Sequence, residues 1–249
     1  MASEQYPVSQ TDYKDNKPVF EDMADELMSR VAQLSSEEAS DILDISRQLG
    51  IKSVNLAYDF ANKSMGNPAI FAFTGEAFKG LNAKNLSAQA LQRAESDVRI
   101  ISSAYGILST TDIIKPYRLE FKKDIAPSSL TPVKYFKQKV TVKVVNHIKQ
   151  NNIKDIIDLL PSDADACLDW KIIRAYAKVH KVIFKIFTQD GLKTPIAKRL
   201  KELRGLMCRT ILEENIQSFN QLISFESNHF IYSEKDSKPG LPVFIASEF

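Results

Sequence analysis

With 249 residues, 44% of them apolar and 26% charged, the chain has the size of one large domain or two small ones and the balance of a folded globular protein. This composition excludes a disordered chain, a collagen-like repeat and a small disulfide scaffold. The net charge of +2 conceals a polarity: residues 1–48 hold 11 acidic and 4 basic side chains, whereas residues 171–209 hold 11 basic and 2 acidic. An acidic front is thus followed by a basic back half. The two cysteines, Cys167 and Cys208, are too few for a disulfide framework or a four-ligand zinc site, and are expected as reduced packing residues. The first residues lack the basic and apolar regions of a secretory leader, and no run of about 18 apolar residues is present. The expectation is a cytoplasmic protein with no membrane partner.

Residues 1–18, polar and containing Pro7 and Pro18, read as an irregular lead-in, with residues 19–249 as a single domain. Met23, Leu27, Val31 and Leu34 make one apolar stripe of a helix running from Phe20 to about Leu34. Ser35 and Glu38 have the spacing of a capping box for a second helix through Leu49, ended by Gly50. A third helix is predicted over Ser53–Ser64, then a turn at Gly66-Asn67-Pro68 and a buried strand over Ala69–Thr74. Ser87 is placed to cap a long helix to about Ala104, with Gly106 at its end; Ile113–Phe121, which contains Pro116, reads as a turn and then extended chain. Residues 129–150 form a helix with an N-terminal proline, striped by Val133, Phe136, Val140, Val144 and Ile148. Strands follow at Ile156–Leu160 and Val179–Phe187, a hairpin turn at Gln189-Asp190-Gly191, and a basic helix within about Ala197–Glu214. Phe230–Tyr232 and Leu241–Ala246 close the chain as strands. Helices and strands without regular alternation imply an irregular α/β or α+β fold.

Several chemistries are absent from the sequence. It has no phosphate-binding P-loop, no dinucleotide-binding glycine turn, no paired-histidine zinc motif and no nucleophile elbow. The three histidines, His147, His180 and His229, lie far apart in sequence, and no cofactor or metal is expected. Asp155, Asp158, Asp163, Asp165 and Asp169 are the best carboxylates for a cation, but a loop and a helix start account for them more cheaply. The basic residues of 171–209, interleaved with Tyr176 and Phe187 and preceded by Tyr135 and Phe136, have two readings. They form either a phosphate-binding footprint or a solvated face balanced by the acidic N-terminal helices. Arg118 and Glu120 in Pro116-Tyr117-Arg118-Leu119-Glu120 are either a local ion pair at a turn or a pocket wall that presents Arg118 to a phosphate.

Three blocks resemble a known family. Ala72-Phe73-Thr74-Gly75-Glu76-Ala77-Phe78-Lys79-Gly80-Leu81 is similar to a block of the form AFxGdvYxGL. Ile101–Leu108, followed by Asp112 and Lys115–Glu120, is similar to LSGLYGxLrPlDxixPYRLEM, and Leu203–Arg209 is similar to ARGLMxR. Their order and spacing resemble the YaaA-like peroxide stress proteins. The resemblance implies one irregular α/β domain in which a mixed sheet is surrounded by helices, with a helix-hairpin-helix-like element and a basic cleft. It further implies a cytosolic, DNA-binding role that limits damage where peroxide and iron meet. The chain departs from the pattern in lacking the opening strand and SPAK-like turn, in Ser103 for a glycine, in Ser109-Thr110 for Arg-Pro, in Asp158-Leu159-Leu160-Pro161 for an NLAS-like segment, and at Phe225–Phe230. A shortened or divergent member fits these departures.

The sequence therefore leads to a stress-response protein that binds DNA without sequence preference and is not an enzyme. The alternatives are an enzyme acting on a nucleotide or phosphorylated small molecule, and a family member that has lost its site. Lys79, Tyr105, Tyr117, Arg118, Glu120, Lys198, Lys201, Arg204 and Arg209 are the candidate phosphate-binding residues, with Gly106 beside them in the motif.

Overall fold

The computed structural model describes residues 16–62, 65–225, 227 and 229–246. Most of the lead-in over 1–18, the end of the helix expected through Ser64, and two positions of the Phe225–Phe230 segment lie outside the described residues. The fold is mixed α/β, as expected. The chain groups into two compact units, one of residues up to 75 with 94–142 and 162–169, the other of 76–93, 143–161 and 170 onward.

The first unit opens with α1 (Glu21–Ala32), α2 (Ser36–Leu43) and α3 (Arg47–Asn62). Leu27, Met28 and Val31 of α1 are fully buried. Ser35 starts α2 through the expected reciprocal capping box with Glu38. β1 (Asn67–Pro68) pairs antiparallel with β4 (Ile113–Ile114), and α4 (Ala69–Ala72) follows β1 directly. The antiparallel hairpin of β2 (Arg99–Ser102) and β3 (Gly106–Ser109) carries the centre of this unit. Ser102 Oγ lies 2.9 Å from the Tyr117 hydroxyl and accepts the Tyr105 amide at 2.9 Å. Ser103 Oγ donates to the Leu119 carbonyl at 2.8 Å. Tyr105 and Tyr117 pack edge to face with centroids 5.9 Å apart, flanked by Phe60 and Phe73. Gly106 has φ +70°, and a Cβ there would lie 2.7 Å from the Phe136 ring, so only glycine fits this turn. α7 (Pro132–Asn151), with the predicted proline at its start, and α6 (Ala88–Asp97) contribute residues to both units; α8 (Ser162–Asp165) belongs to the first.

The second unit contains α5 (Glu76–Leu81), β5 (Asp155–Asp158), α9 (Trp170–Ile173), β6 (Lys178–Lys181), β7 (Ile183–Thr188), β8 (Gly191–Lys193), α10 (Ala197–Glu213), α11 (Phe219–Ser224), β9 (Phe230–Lys238) and β10 (Leu241–Ala246). β8-β7-β10-β9 form a mixed sheet in which only the β7–β10 pairing is parallel. Phe184, Phe230 and Phe244 of this sheet bury against Leu203 and Met207 of α10. β5 and β6 pair parallel beside it in sequence as a separate ladder. α5 and α10 meet at two glycines. A Cβ on Gly80 would lie 2.2 Å from the Glu202 carbonyl oxygen, and one on Gly205 would lie 1.7 Å from that of Ala77.

Several expected elements differ. Ala69–Thr74 is not a strand. Ala69–Ala72 form a helical turn whose Ala69 and Ile70 amides donate to the Asp112 and Thr110 carbonyls, and the expected turn at Asn67-Pro68 is the short strand β1. An apolar run buried on every side has no periodicity to separate the two forms. The second helix stops at Asp44 (φ 53°), which takes the left-handed cap position, and Gly50 lies inside α3. The helix from Ser87, capped by its hydroxyl to the Ala90 amide, ends at Asp97 because the β-branched residues Ile100 and Ile101 enter β2. Val179–Phe187 splits at Val182 into β6 and β7, which belong to different sheets.

Gly205→Ala should cost about 1–3 kcal/mol in urea unfolding, the range for overpacking a tight contact. Gly75→Ala, whose Cβ meets nothing within 4 Å, should change stability by less than about 0.5 kcal/mol. Equal effects of the two variants would contradict the close crossing.

Candidate functional site

The first turn of α10 breaks the usual rules for starting a helix. No side chain caps it, and its N-cap residue, Ile196, is 75% exposed. Its first turn contains no acidic residue and instead carries Lys198 and Arg199, followed by Lys201. The free backbone N–H groups and the dipole at a helix start favour anions, so cations there oppose the helix and suit an anionic ligand. Arg199 is held by Glu202 at 3.0 Å, whereas Lys198 and Lys201 are exposed and make no ion pair within 4 Å among the described residues.

α5 adds a third lysine. Lys79, with its side chain 62% exposed, bonds Glu76 at 2.8 Å. That hydrogen bond is the main reason the Glu76 carboxyl sits below its ordinary range, and the charges of Lys79, Lys198 and Lys201 add to it. Glu76 thus contacts Lys79 and feels the charges of the two α10 lysines from beyond ion-pair distance. Arg204 follows one turn beyond Lys201. Burial lowers the pKa of its guanidinium, and the Asp158 carboxylate works against that shift. Arg209 is a structural tie: its fork donates to the carbonyls of Leu81, Asn82 and Asn85, and it pairs with Glu213 at 3.4 Å.

The remaining candidates lie in the first unit. Tyr105 and Tyr117 are 2% and 1% exposed, so their rings belong to the core. Burial raises both phenols, Tyr117 to about 12. Arg118 and Glu120 make the local pair at 3.8 Å, and the Arg118 Nε is buried without a hydrogen bond among the described residues.

Much of the basic run is spent on local partners. Lys181 pairs with Asp158 at 3.5 Å, and Lys193 pairs with Asp190. Among the interleaved aromatics, Phe136 is fully buried and Tyr135 bonds Glu26, while Tyr176 lies under Lys149 and Phe187 is 59% exposed. The acidic cluster does not assemble. Asp155 bonds His180, Asp158 accepts the Leu160 amide and Asp163 pairs with Lys122. No three metal-ligating side chains group together among the described residues. Both thiols are free and burial pushes each up to about 12. No described helix is long and apolar enough to cross a membrane. Sequence reasoning missed Glu76, although its spacing of three from Lys79 was a visible signal.

The sequence pattern of the family described as Peroxide stress protein YaaA matches residues 2–236, nearly the whole chain. The chain belongs to the YaaA peroxide stress protein family. Relatives named UPF0246 protein include one from Shewanella denitrificans, 29% identical over 93% of this chain and 90% of that protein. Another, from Francisella philomiragia, is 26% identical over 97% of this chain and 96% of its own length. The family blocks now have physical content: Gly80 and Gly205 are the helix crossing, and Ser102, Tyr105, Gly106 and Tyr117 are the centre of the first unit.

A phenol whose folded pKa is raised stabilises the fold fully below its unfolded value of about 10, and that contribution is lost as pH climbs toward the folded value. Tyr117, at about 12, should therefore ionise in ultraviolet titration only as the protein loosens between these limits, and Tyr117→Phe should remove part of the alkaline loss of stability. Ionisation near pH 10 with the fold intact would contradict its burial.

Proposed function

We propose that this protein is a cytoplasmic DNA-binding member of the family, and that its contact with DNA limits damage where peroxide and iron meet. The observation that carries this reading is the uncapped, cationic start of α10, with Lys198 and Lys201 joined by Lys79 around Glu76. Backbone phosphates supply the negative charge that this helix start lacks. The lysines contact phosphates as point charges, so binding is independent of base sequence. Arg204, one turn beyond Lys201 and half-buried near Asp158, adds a further cation to α10. Tyr105 and Tyr117 support the fold and do not touch DNA, and Arg209 fixes the segment after α5 against α10. Glu76 opposes DNA, because its carboxylate competes with phosphate for the same lysines.

The test is a fluorescence anisotropy titration with duplex DNA at several salt concentrations. Three phosphate contacts give a slope of about −2.7 in log affinity against log salt, or about 40-fold weaker binding between about 50 and 200 mM. Replacing Lys79, Lys198 and Lys201 together by Ala should flatten the slope, and Glu76→Gln should tighten binding several-fold. Undetectable binding at low salt, or an unchanged slope in the triple variant, would overturn the proposal.

A further inference from the structure

Away from α5 and the start of α10, the second unit contains a cavity of about 360 Å³ lined by His180, Phe219 and the β9–β10 hairpin. This volume is within the range of small-molecule sites. In the parallel ladder of β5 and β6, Ile157 lies opposite His180, so Asp155 is on the same face, one step diagonal to the imidazole. Asp155 Oδ1 is 2.8 Å from His180 Nε2. The His180 ring stacks flat on Phe219, with centroids 3.7 Å apart and planes 12° from parallel. One nitrogen and one ring face are thus fixed. No protein partner for the Nδ1 atom is found among the described residues, and His180 is one of the residues that line the cavity. When His180 is neutral, Asp155 holds the proton on Nε2 and leaves the Nδ1 lone pair as an acceptor.

The hairpin brings two opposite charges to the same cavity. Glu234 and Lys238 both line it, and neither makes an ion pair with the other or with any described residue. Tyr232 and Pro242 supply apolar wall. Ser237 has no free hydroxyl to act as a nucleophile, since its Oγ donates to the Ser233 carbonyl at 2.6 Å and accepts the Val243 amide at 2.9 Å. The groups are those of a binding site, with an acceptor pair for an ammonium, a cation for a carboxylate and an apolar surface for a side chain.

We propose that this cavity binds a free α-amino acid. The ligand ammonium bonds Glu234 and His180 Nδ1, its carboxylate pairs with Lys238, and its side chain lies against Phe219 and Tyr232. Asp155 is a positioning residue that sets the His180 tautomer. A simple anion forgoes the Glu234 contact and a simple amine forgoes the Lys238 contact, so a ligand carrying both charges gains from both.

Calorimetric titration of the full chain with L-phenylalanine, 3-phenylpropionate and 2-phenylethylamine tests this directly. L-Phenylalanine should bind, and each analogue, lacking one charge, should bind at least about 10-fold more weakly, the equivalent of one charged contact. Glu234→Gln should weaken L-phenylalanine and leave 3-phenylpropionate unchanged, while Lys238→Met should weaken L-phenylalanine and leave 2-phenylethylamine unchanged. Both positions are exposed, so the variants keep the fold, and their DNA titrations should match the parent. Equal binding of all three compounds would overturn the proposal. So would failure of L-phenylalanine, L-leucine and L-serine to bind at about 10 mM, weaker than any millimolar site.

Discussion

At Gly205 the backbone of α10 comes so near α5 that a Cβ would lie 1.7 Å from the Ala77 carbonyl oxygen, and Gly80 makes the reciprocal approach to Glu202. The candidate site depends on this crossing. α5 is only six residues long, too short to be stable alone, and it is held by its contact with the 17-residue α10. Arg209 reinforces the same junction through three backbone carbonyls, that of Leu81 at the end of α5 and those of Asn82 and Asn85 just beyond it. With the helices locked at that distance, Lys79 shares Glu76 with the lysines of α10. A looser crossing would leave three separate surface lysines, each worth little.

The electrostatics of that junction explain why a helix start can carry the wrong charge. Lys198 and Lys201 oppose the helix dipole, and no side chain caps the end. Glu76, whose carboxyl is lowered chiefly by its Lys79 hydrogen bond and further by the charges of Lys198 and Lys201, offsets part of the repulsion. The offset is incomplete, since one carboxylate faces three lysines. Local rules broken without full compensation are a mark of a functional surface. The first unit shows a different pattern, with the serines and tyrosines of its motif absorbed into packing. Ser102 and Ser103 satisfy Tyr117, Tyr105 and Leu119, and the aromatic rings fill the space between them.

The amphipathic helices were legible because their apolar stripes and caps are local signals. The Ser35–Glu38 box, the proline at the start of α7 and the basic α10 needed no tertiary information. Ala69–Ala72 was not legible, because complete burial erases periodicity, and the division of Val179–Phe187 depends on which distant strands pair with each half. Among the candidate residues, Lys79, Lys198 and Lys201 stand out from charge and family blocks; Lys79 bonds Glu76, and the two α10 lysines act on that carboxylate through charge alone. Tyr105, Tyr117 and Arg209 carry the same family signal for a different reason, since a motif marks a constrained residue without saying whether packing or ligand imposes the constraint. The His180–Asp155 pair was hidden because its partners are 25 residues apart and meet only through the register of β5 and β6.

Hydrogen–deuterium exchange with and without duplex DNA at low salt reads directly whether the α5–α10 junction is where DNA binds. Protection on binding should concentrate in the first turn of α10, from Ala197 to Lys201, and in α5 around Lys79. DNA binding with unchanged exchange in both segments would contradict it.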